Sequence, residues 1–435
     1  MKILNNFLIL FIVVVLFGCS QNNESAEGKI IIDYWSGTAA PSLDKYEAEI
    51  NEKIQRLNKF MDENGLGGML FTQVRNVYWI TGGKVNTQIV LNKDVGAASL
   101  LVMRSGKKYL VCSGSESGRL LNESMKGLGY ELKQYNWYEA NPVKDVRGGI
   151  IKGIAGSLKI GSDADFPNTV LVAEKFRPVR YTLTEQEMER YRWLGEQCTE
   201  AVSEVCRKLK PGMDEYEIEA MTATALRARG IIPTVLLMAA DERIFNYRHA
   251  LPGGAKVKKY AMVNIVAEKW GMPVAVTRFV HFGPLPEELK NKLEQTAIIN
   301  ACYEEATAPG KPVSEIFEGM KNWYAKAGFE GEWMKHHQGG SIGYDDREYV
   351  IYPGNKNIIQ NNQAFAWNPT ITGAKVEETI IAHENGIEVI TKSKDWPVIN
   401  VELNGRTYPQ PAILLRDAET GELLKQDAVT IKAEK

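Results

Sequence analysis

The stretch "HHQGGSIGYDDREY", His336 to Tyr349, sets two adjacent imidazoles before a glycine-rich turn and closes on an Arg347-Glu348 pair. Imidazole is the side chain whose ordinary pKa lies nearest neutrality, so His336 and His337 are candidates for moving a proton. Two further segments carry compatible groups: "NYRHALPGG" holds His249, and "NPTITGAKVEET" holds Asn368, Lys375 and Glu377. A lone histidine more often supports a turn through hydrogen bonds, but the paired histidines on a glycine-rich loop favour the chemical reading. His281 and His383 fall on strand patterns and are read as structural. Lys375 beside Glu377 reads either as a salt-bridged strand pair or as part of a site.

The elements that must position these groups follow from periodicity. Tyr46 to Asn64 has the pattern of an amphipathic helix, and "GGMLFTQ" and "VYWITGG" read as short strands bounded by glycines. Strand-like "AASLLVM" and "KKYLVCS" follow, then helix-like "SGRLLNESMKGLG", and "ADFPN" and "FRPVR" supply linker chemistry. This alternation predicts a three-layer α/β domain over residues 45–180.

A second unit spans residues 181–395. Thr184 with Glu187 forms a capping-box signature, and a stripe from Met188 through Tyr191, Leu194, Cys198, Val202 and Val205 to Leu209 predicts a long helix. "KLKPG" stops it, and Asp214 with Glu217 opens the next. About a hundred residues on, the order returns. Pro211-Gly212 precedes Glu217-Ile218 as Pro309-Gly310 precedes Glu315-Ile316, and a strand pair follows each helix pair. The pairs are "KYAMVNIV" with "AVTRFVHFG" and "AFAWNP" with "AKVEETIIA". Two pseudo-equivalent halves would close a curved sheet around a shared cleft, an α+β arrangement suited to holding a ligand. Residues 396–435 form an extension in which "VINVELNG" and "AILLR" read as strands and the polar end is expected to fray.

From about Tyr46 to Thr391 the chain resembles the aminopeptidase P, prolidase and creatinase superfamily. "RLNKFMDENGLGGMLFTQVRNVYWITG" resembles the opening of its creatinase-type N-terminal domain. "VTRFVHFG" resembles the Asp-Ile-Thr-Arg-Thr strand, "HHQGGSIGY" the His-x-x-Gly-His-Gly-x-Gly loop, and "NPTITGAKVEET" the late Glu-Pro and Arg-x-Glu-Asp strands. The resemblance implies an α/β N-terminal domain followed by a pita-bread catalytic domain with an internal pseudo-two-fold repeat. It also implies C–N bond hydrolysis and, since the superfamily commonly pairs, a homodimer.

Peptidases of this superfamily hold two divalent metals with two aspartates, a histidine and two glutamates. Carried over by the resemblance, those positions fall on Asn264, Ala275, Gly340, Asn368 and Glu377, so one ligand of five remains. Ala275 and Gly340 offer no side-chain donor, and a lone carboxylate does not bridge two ions. No cofactor is expected, neither Mn²⁺ nor Zn²⁺; a single ion on a new set such as His249, His336 and Glu377 is the less favoured variant. By the same resemblance His336 matches a substrate-facing histidine and His249 one upstream of the first metal aspartate, while His337 has no counterpart. Arg278 and Arg347 are candidates to hold a substrate carboxylate, and Asn264 and Asn368 to donate to an oxyanion. Creatinase shows that this scaffold can work without metal, with a histidine shuttling the proton. His336, His249, His337 and Glu377 are the catalytic candidates here.

Composition bounds the alternatives. A net charge of -2 with 44% hydrophobic and 24% charged residues fits a globular body and gives nucleic acid no basic surface. "MKILNNFLILFIVVVLFGC" carries an apolar run, Phe7 to Phe17, too short for a comfortable transmembrane helix and read as a signal-peptide core over residues 1–19. "LFGC" resembles a bacterial lipobox, although Phe17 is bulkier than usual there. The expectation is lipid on Cys19, a flexible tether over 20–44, and a body held at a bacterial envelope membrane outside the cytoplasm. An ordinary secretory signal or an uncleaved anchor are the alternatives. Cys112, Cys198, Cys206 and Cys302 show no metal-ligand spacing and are read as small buried hydrophobes. Three functions remain: a surface-anchored hydrolase of small peptides or amides lacking a dinuclear centre, an inert lipoprotein that binds a peptide or metabolite, or an ordinary metal-dependent peptidase.

Overall fold

The computed structural model describes residues 38–43 and 46–433. Cys19 and most of the tether lie outside the described residues.

The N-terminal domain opens with the helix Tyr46–Asn64 and builds one sheet from β1 (Gly68–Gln73), β2 (Val95–Met103), β3 (Lys108–Ser113), β4 (Glu131–Tyr135), β5 (Ile160–Ser162) and β6 (Val170–Leu171), in the order β4-β3-β2-β1-β5-β6. β1 lies inside the sheet, antiparallel to β2 and parallel to β5, and all but its last residue are buried. A strand covered on both faces is continuously apolar, as "GMLFT" is. "VYWITGG" is not a strand. Val74–Ile80 is a helix with Val77, Tyr78, Trp79 and Ile80 buried, and a short apolar run buried all round has no period to separate the two. Phe176 knits the domain together, its ring 5.3 Å from those of Phe60 and Trp79 and 5.4 Å from that of Phe71. The same apolar cluster continues into Tyr191, Leu194, Cys198 and Val202 of the next domain.

In the second domain, the helices Glu185–Lys208 and Glu215–Ala228 precede β7 (Ile232–Ala240), β8 (Tyr260–Lys269) and β9 (Met272–Phe282). The helices Glu287–Ala306 and Val313–Lys326 precede β10 (Gly339–Ile342), β11 (Tyr349–Val350), β12 (Gln363–Trp367), β13 (Thr370–Ile371), β14 (Ala374–Lys375), β15 (Glu378–His383) and β16 (Gly386–Val389). Both expected capping boxes form, at Thr184/Glu187 and Asp214/Glu217.

The internal repeat shows in matched hydrogen bonds. Gly212 N donates to Val257 O and Gly310 N to Ile359 O, both at 2.8 Å; Val257 N donates to Met213 O and Ile359 N to Lys311 O, both at 2.9 Å. Gly212 and Gly310 take φ of 94° and 84°, which is why glycine stands at both turns. The first half contributes β7-β8-β9 and the second β11-β10-β12-β15-β16. The halves meet between β9 and β15, where Ala275 N donates to Thr379 Oγ1 at 3.0 Å and Thr277 N to Glu377 O at 3.3 Å.

The extension supplies β17 (Val398–Leu403), β18 (Arg406–Pro411), β19 (Leu414–Arg416) and β20 (Val429–Ala433). β19 adds a parallel strand to the edge of β9. The chain end does not fray as expected: β20 pairs in parallel with β17, whose backbone offers it an open edge. β18 docks on the helix Glu287–Ala306 through a buried amide-carboxyl cluster. Asn300 Nδ2 donates to Gln410 Oε1 at 2.7 Å, and Gln410 Nε2 to Glu304 Oε2 at 2.8 Å.

Burial pushes the Glu304 carboxyl up to about 8, outweighing the hydrogen bonds from Gln410 and Asn300. Its unfolded-state value lies near 4.5. Because the folded pKa is the higher, the contribution of this group is fully present below the unfolded value and is lost as pH rises through the folded one. Glu304→Gln should remove that dependence. Thermal melts from about pH 5 to pH 9 should show the wild type losing stability relative to the variant as pH rises; parallel curves would contradict the assignment.

Candidate functional site

Glu377 sits at the seam of the two half-sheets, immediately before β15. Its Oε2 accepts hydrogen bonds from Thr277 Oγ1 at 2.6 Å, from Lys375 Nζ at 2.9 Å and from Asn264 Nδ2. Asn264 and Thr277 face one another across the β8–β9 ladder, which explains how residues so far apart in sequence reach one carboxylate. Arg347 Nη2 lies 4.0 Å from Glu377 Oε1. Burial raises the Glu377 pKa, but Lys375, the Thr277 hydroxyl and Arg347 together outweigh it and hold the carboxyl below its ordinary range. It is therefore a fixed anion near neutrality.

The histidines converge beside it. His336 and His337 link the turn Glu332–Lys335 to β10, and His249 follows the short helix Glu242–Asn246. His249 and His336 meet Nε2 to Nε2 at 2.8 Å with rings edge to face, while the rings of His336 and His337 stack with centroids 4.3 Å apart. Neighbouring side chains hold both segments. Arg248 pairs with Glu332, which also accepts from Thr372 N at 3.1 Å. Gln338 accepts from Tyr324 OH at 2.6 Å and donates to His336 O at 2.7 Å. Burial, then Lys375 and the other two imidazoles, depress His336 to about 3. Burial followed by Arg347 depresses His337 to about 4, and burial followed by Lys375 lowers His249. All three are neutral at pH 7.

Three buried polar atoms around this group have no hydrogen-bond partner among the described residues: His336 Nδ1, Arg347 Nε and Asn368 Oδ1. Such atoms are uncommon in folded interiors, and three of the fifteen found among the described residues border this group.

The expected site residues sort accordingly. His249, His336 and His337 come together, and Asn264 and Arg347 reach Glu377. Asn368 is tied to the histidine segment by its N–H, which donates to Gln338 O at 3.2 Å. Asn264 uses its amide nitrogen on Glu377 and, at 2.7 Å, on Thr277 Oγ1, so it is not a spare donor for an oxyanion. Arg278 does not join the site. It lies one residue from Thr277, so strand alternation turns it to the other face, where it pairs with Glu378 at 2.8 Å and donates to Thr391 O at 2.9 Å. Sequence reasoning missed Thr277 and Glu332. Thr277 shares a strand face with Ala275, a signal that was available; nothing local marks Glu332.

A dinuclear metal centre does not fit these residues. One oxygen of Glu377 already accepts from an ammonium, a hydroxyl and an amide, and Arg347 lies 4.0 Å from the other. The nearby acids are engaged elsewhere: Glu348 with Arg180 and Asp345 with Arg75, while Asp346 lines a separate cavity of about 440 Å³ between the domains that touches none of the three histidines. At Gly340 an added Cβ would come within 2.1 Å of the Tyr349 carbonyl oxygen, so β10 and β11 leave no room for a side chain. Gly340→His is therefore expected to destabilise the protein by at least about 2 kcal/mol through backbone displacement and to confer no two-ion binding. Denaturant unfolding and elemental analysis read both outcomes.

Fold and site together define a two-domain α/β plus pita-bread protein of the peptidase-like hydrolase class. Residues 53–176 match the creatinase/prolidase N-terminal domain, and residues 189–389 match metallopeptidase family M24. A Xaa-Pro dipeptidase from Pyrococcus horikoshii is 23% identical over 365 residues, covering 79% of this chain and 98% of that protein. An uncharacterized peptidase from Staphylococcus haemolyticus is 23% identical over 360 residues, covering 78% and 98%. Among solved structures, the prolidase from Pyrococcus horikoshii superposes with a TM-score of 0.66 at 19% identity, covering 79% of this chain and 99% of that one. The dipeptidase PepE from Mycobacterium ulcerans gives 0.65 at 18%, covering 80% and 96%. The chain belongs to the aminopeptidase P, prolidase and creatinase superfamily.

Proposed function

We propose that the chain hydrolyses the C–N bond of a small peptide or amide bearing a carboxylate, without a dinuclear metal centre. The observation that carries this reading is the charge at the seam. Lys375 and Arg347 set two cations against the carboxylate of Glu377, and Asp346, the other acid acting on Arg347, lines a separate cavity, so at the seam itself the cations are in excess. An anionic substrate group complements that excess, and Arg347 Nε–H is free to donate to it. Water adds to the carbonyl carbon, its proton passing to the His336–His249 pair; the same proton then goes to the departing nitrogen as the C–N bond breaks. Burial is the main cause of the depressed His336 basicity, and Lys375 the next; a substrate carboxylate would neutralise Lys375, so binding relieves that second part.

The weak basicity of His336 in the free protein also supports a second reading, in which the cleft binds such a ligand and does not turn it over. A peptide and amide panel, assayed with and without chelator, separates the two. Under the hydrolase reading His336→Ala lowers turnover by at least about 100-fold with little change in ligand affinity. Lys375→Met weakens binding of carboxylate-bearing substrates by about tenfold or more and leaves amidated analogues unaffected. Tight binding with no turnover in the wild type would favour the second reading. Activity abolished by chelator and restored by Mn²⁺ would overturn the metal-independent assignment.

Anchoring at Cys19 is also part of this proposal and rests on the "LFGC" motif. No helix of the described residues is long and apolar enough to cross a membrane. In bacterial cells Cys19→Ser should move the protein from the membrane to the soluble fraction and remove the lipid mass from its N-terminal peptide. A wild-type protein already soluble and unlipidated would refute it.

A further inference from the structure

We infer that His249, His336 and His337 form a site for one borderline divalent ion, of the Zn²⁺ or Co²⁺ type, and that the ion shuts the cleft down by taking the lone pairs the proton relay needs. The inhibitory half rests on the hydrolase reading above; the binding half does not.

Among the described residues, one ligand nitrogen from each of these three histidines lies within 4.8 Å of the others, and two of them, the Nε2 atoms of His249 and His336, are 2.8 Å apart. Two imidazole nitrogens on one tetrahedral zinc, each at about 2.1 Å from it, sit roughly 3.3 Å from one another. The His249–His336 pair therefore needs only a small opening to hold an ion in place of a shared proton. His337 has further to move, and it is free to do so. Its side chain is exposed, and among the described residues its polar contact is a long one, Gly339 N donating to His337 Nδ1 at 3.3 Å. The two fixed members stand on braced segments, through Arg248–Glu332 on one side and Gln338–Tyr324 on the other.

The donor chemistry selects the ion. Three neutral nitrogens without a carboxylate suit Zn²⁺, Co²⁺, Ni²⁺ or Cu²⁺ and offer little to Mg²⁺, Ca²⁺ or Mn²⁺. This is a different set from the carboxylate-rich positions that the superfamily resemblance maps onto Asn264, Ala275, Gly340, Asn368 and Glu377. Lys375 opposes a cation here, and Glu377 favours one. Exposure of His249 and His337 leaves an open coordination position for water or an anion, which offsets part of that repulsion.

The test uses untagged chain stripped with chelator and then freed of it, titrated with Zn²⁺ by calorimetry and with Co²⁺ by visible absorption. The expected result is one ion per chain with a tetrahedral Co²⁺ spectrum. His249→Ala and His336→Ala should each weaken binding at least tenfold, while His383→Asn, a surface control, changes nothing. His336→Gln, checked with the others by circular dichroism, covers the case in which the alanine variant fails to fold. Absence of binding in the wild type, or equal affinity in the folded His336 variants, overturns the site. Where a substrate is turned over, stoichiometric Zn²⁺ should reduce the rate at least tenfold and chelator should restore it. An ion that binds without slowing turnover overturns the inhibitory half. A chain that binds the ion but turns nothing over contradicts the hydrolase reading and leaves the site standing.

Discussion

The architecture depends on a buried, fully paired ionic lattice where the N-terminal domain meets the catalytic-like one. Lys53 Nζ lies 2.6 Å from both Glu49 Oε1 and Glu187 Oε1, and Arg190 grips Glu49 with two bonds of 2.7 and 2.8 Å. Two cations and two anions cancel, and Tyr344 closes the group by accepting from Lys53 and donating to Glu187. Desolvating four charges is tolerable only because each is met; removing one partner of such a set costs about 3–5 kcal/mol. Lys53 and Arg190 accordingly hold Glu49 near 2 despite a burial that pulls the other way. Glu187 serves twice, since its second oxygen accepts from Thr184 N and starts the helix Glu185–Lys208. A local capping signal and a long-range lock share one side chain.

The lock matters because Tyr344 belongs to the segment that begins with His336. The N-terminal domain holds the far end of that segment at three consecutive places: Tyr344 through Lys53, Asp345 through Arg75, and Glu348 through a two-bond pair with Arg180 at 2.8 Å each. Among the described residues, the near end with its histidines is held from within the second domain. A rigid far end and a braced but solvent-facing near end place imidazoles accurately while leaving them reachable. The contrast in charge is equally telling. The lattice is neutral and leaves few polar atoms unmet, whereas the seam around Glu377 carries excess positive charge and is bordered by three unmet polar atoms. An imbalance of that kind is what the proposed binding of an anionic substrate group would relieve.

Much of this was legible in the chain. The helix Tyr46–Asn64, both capping boxes and the Pro-Gly repeat announce themselves because they are local: each depends on residues within one or two turns of one another. The repeat was even legible in register, since glycine is required at Gly212 and Gly310 by the same left-handed turn. The misreadings share a different cause. "VYWITGG" was ambiguous because burial on every side erases periodicity. Arg278 was misplaced because a motif specifies a strand but not which neighbour its alternate residues face. "FRPVR" reads as a linker, yet Arg180 within it is buried against Glu348, a partner 168 residues away. Convergence of His249 on His336 likewise depends on Arg248 finding Glu332, which no local pattern encodes.

Under the superfamily resemblance, the residues that fall on the metal-ligand positions of the seam are read together as a set. Replacing acids by Asn264, Ala275 and Asn368 would by itself leave Glu377 as an isolated buried anion, an expensive state. Lys375 at 2.9 Å resolves that, and Thr277 and Asn264 satisfy the same oxygen. Gly340 then lets β10 pack its backbone against Tyr349 where a side chain could not enter. A metal ligand placed at one of those positions would meet an ammonium, a carboxylate oxygen already holding three donors, or a backbone wall. Around Glu377 and Gly340 the neighbouring groups satisfy the carboxylate or fill the space, while Asn368 Oδ1 stays unpartnered beside three neutral imidazoles. An anionic substrate group would be drawn to Lys375 and Arg347, whereas a metal ion would have to bind against them through the imidazole nitrogens.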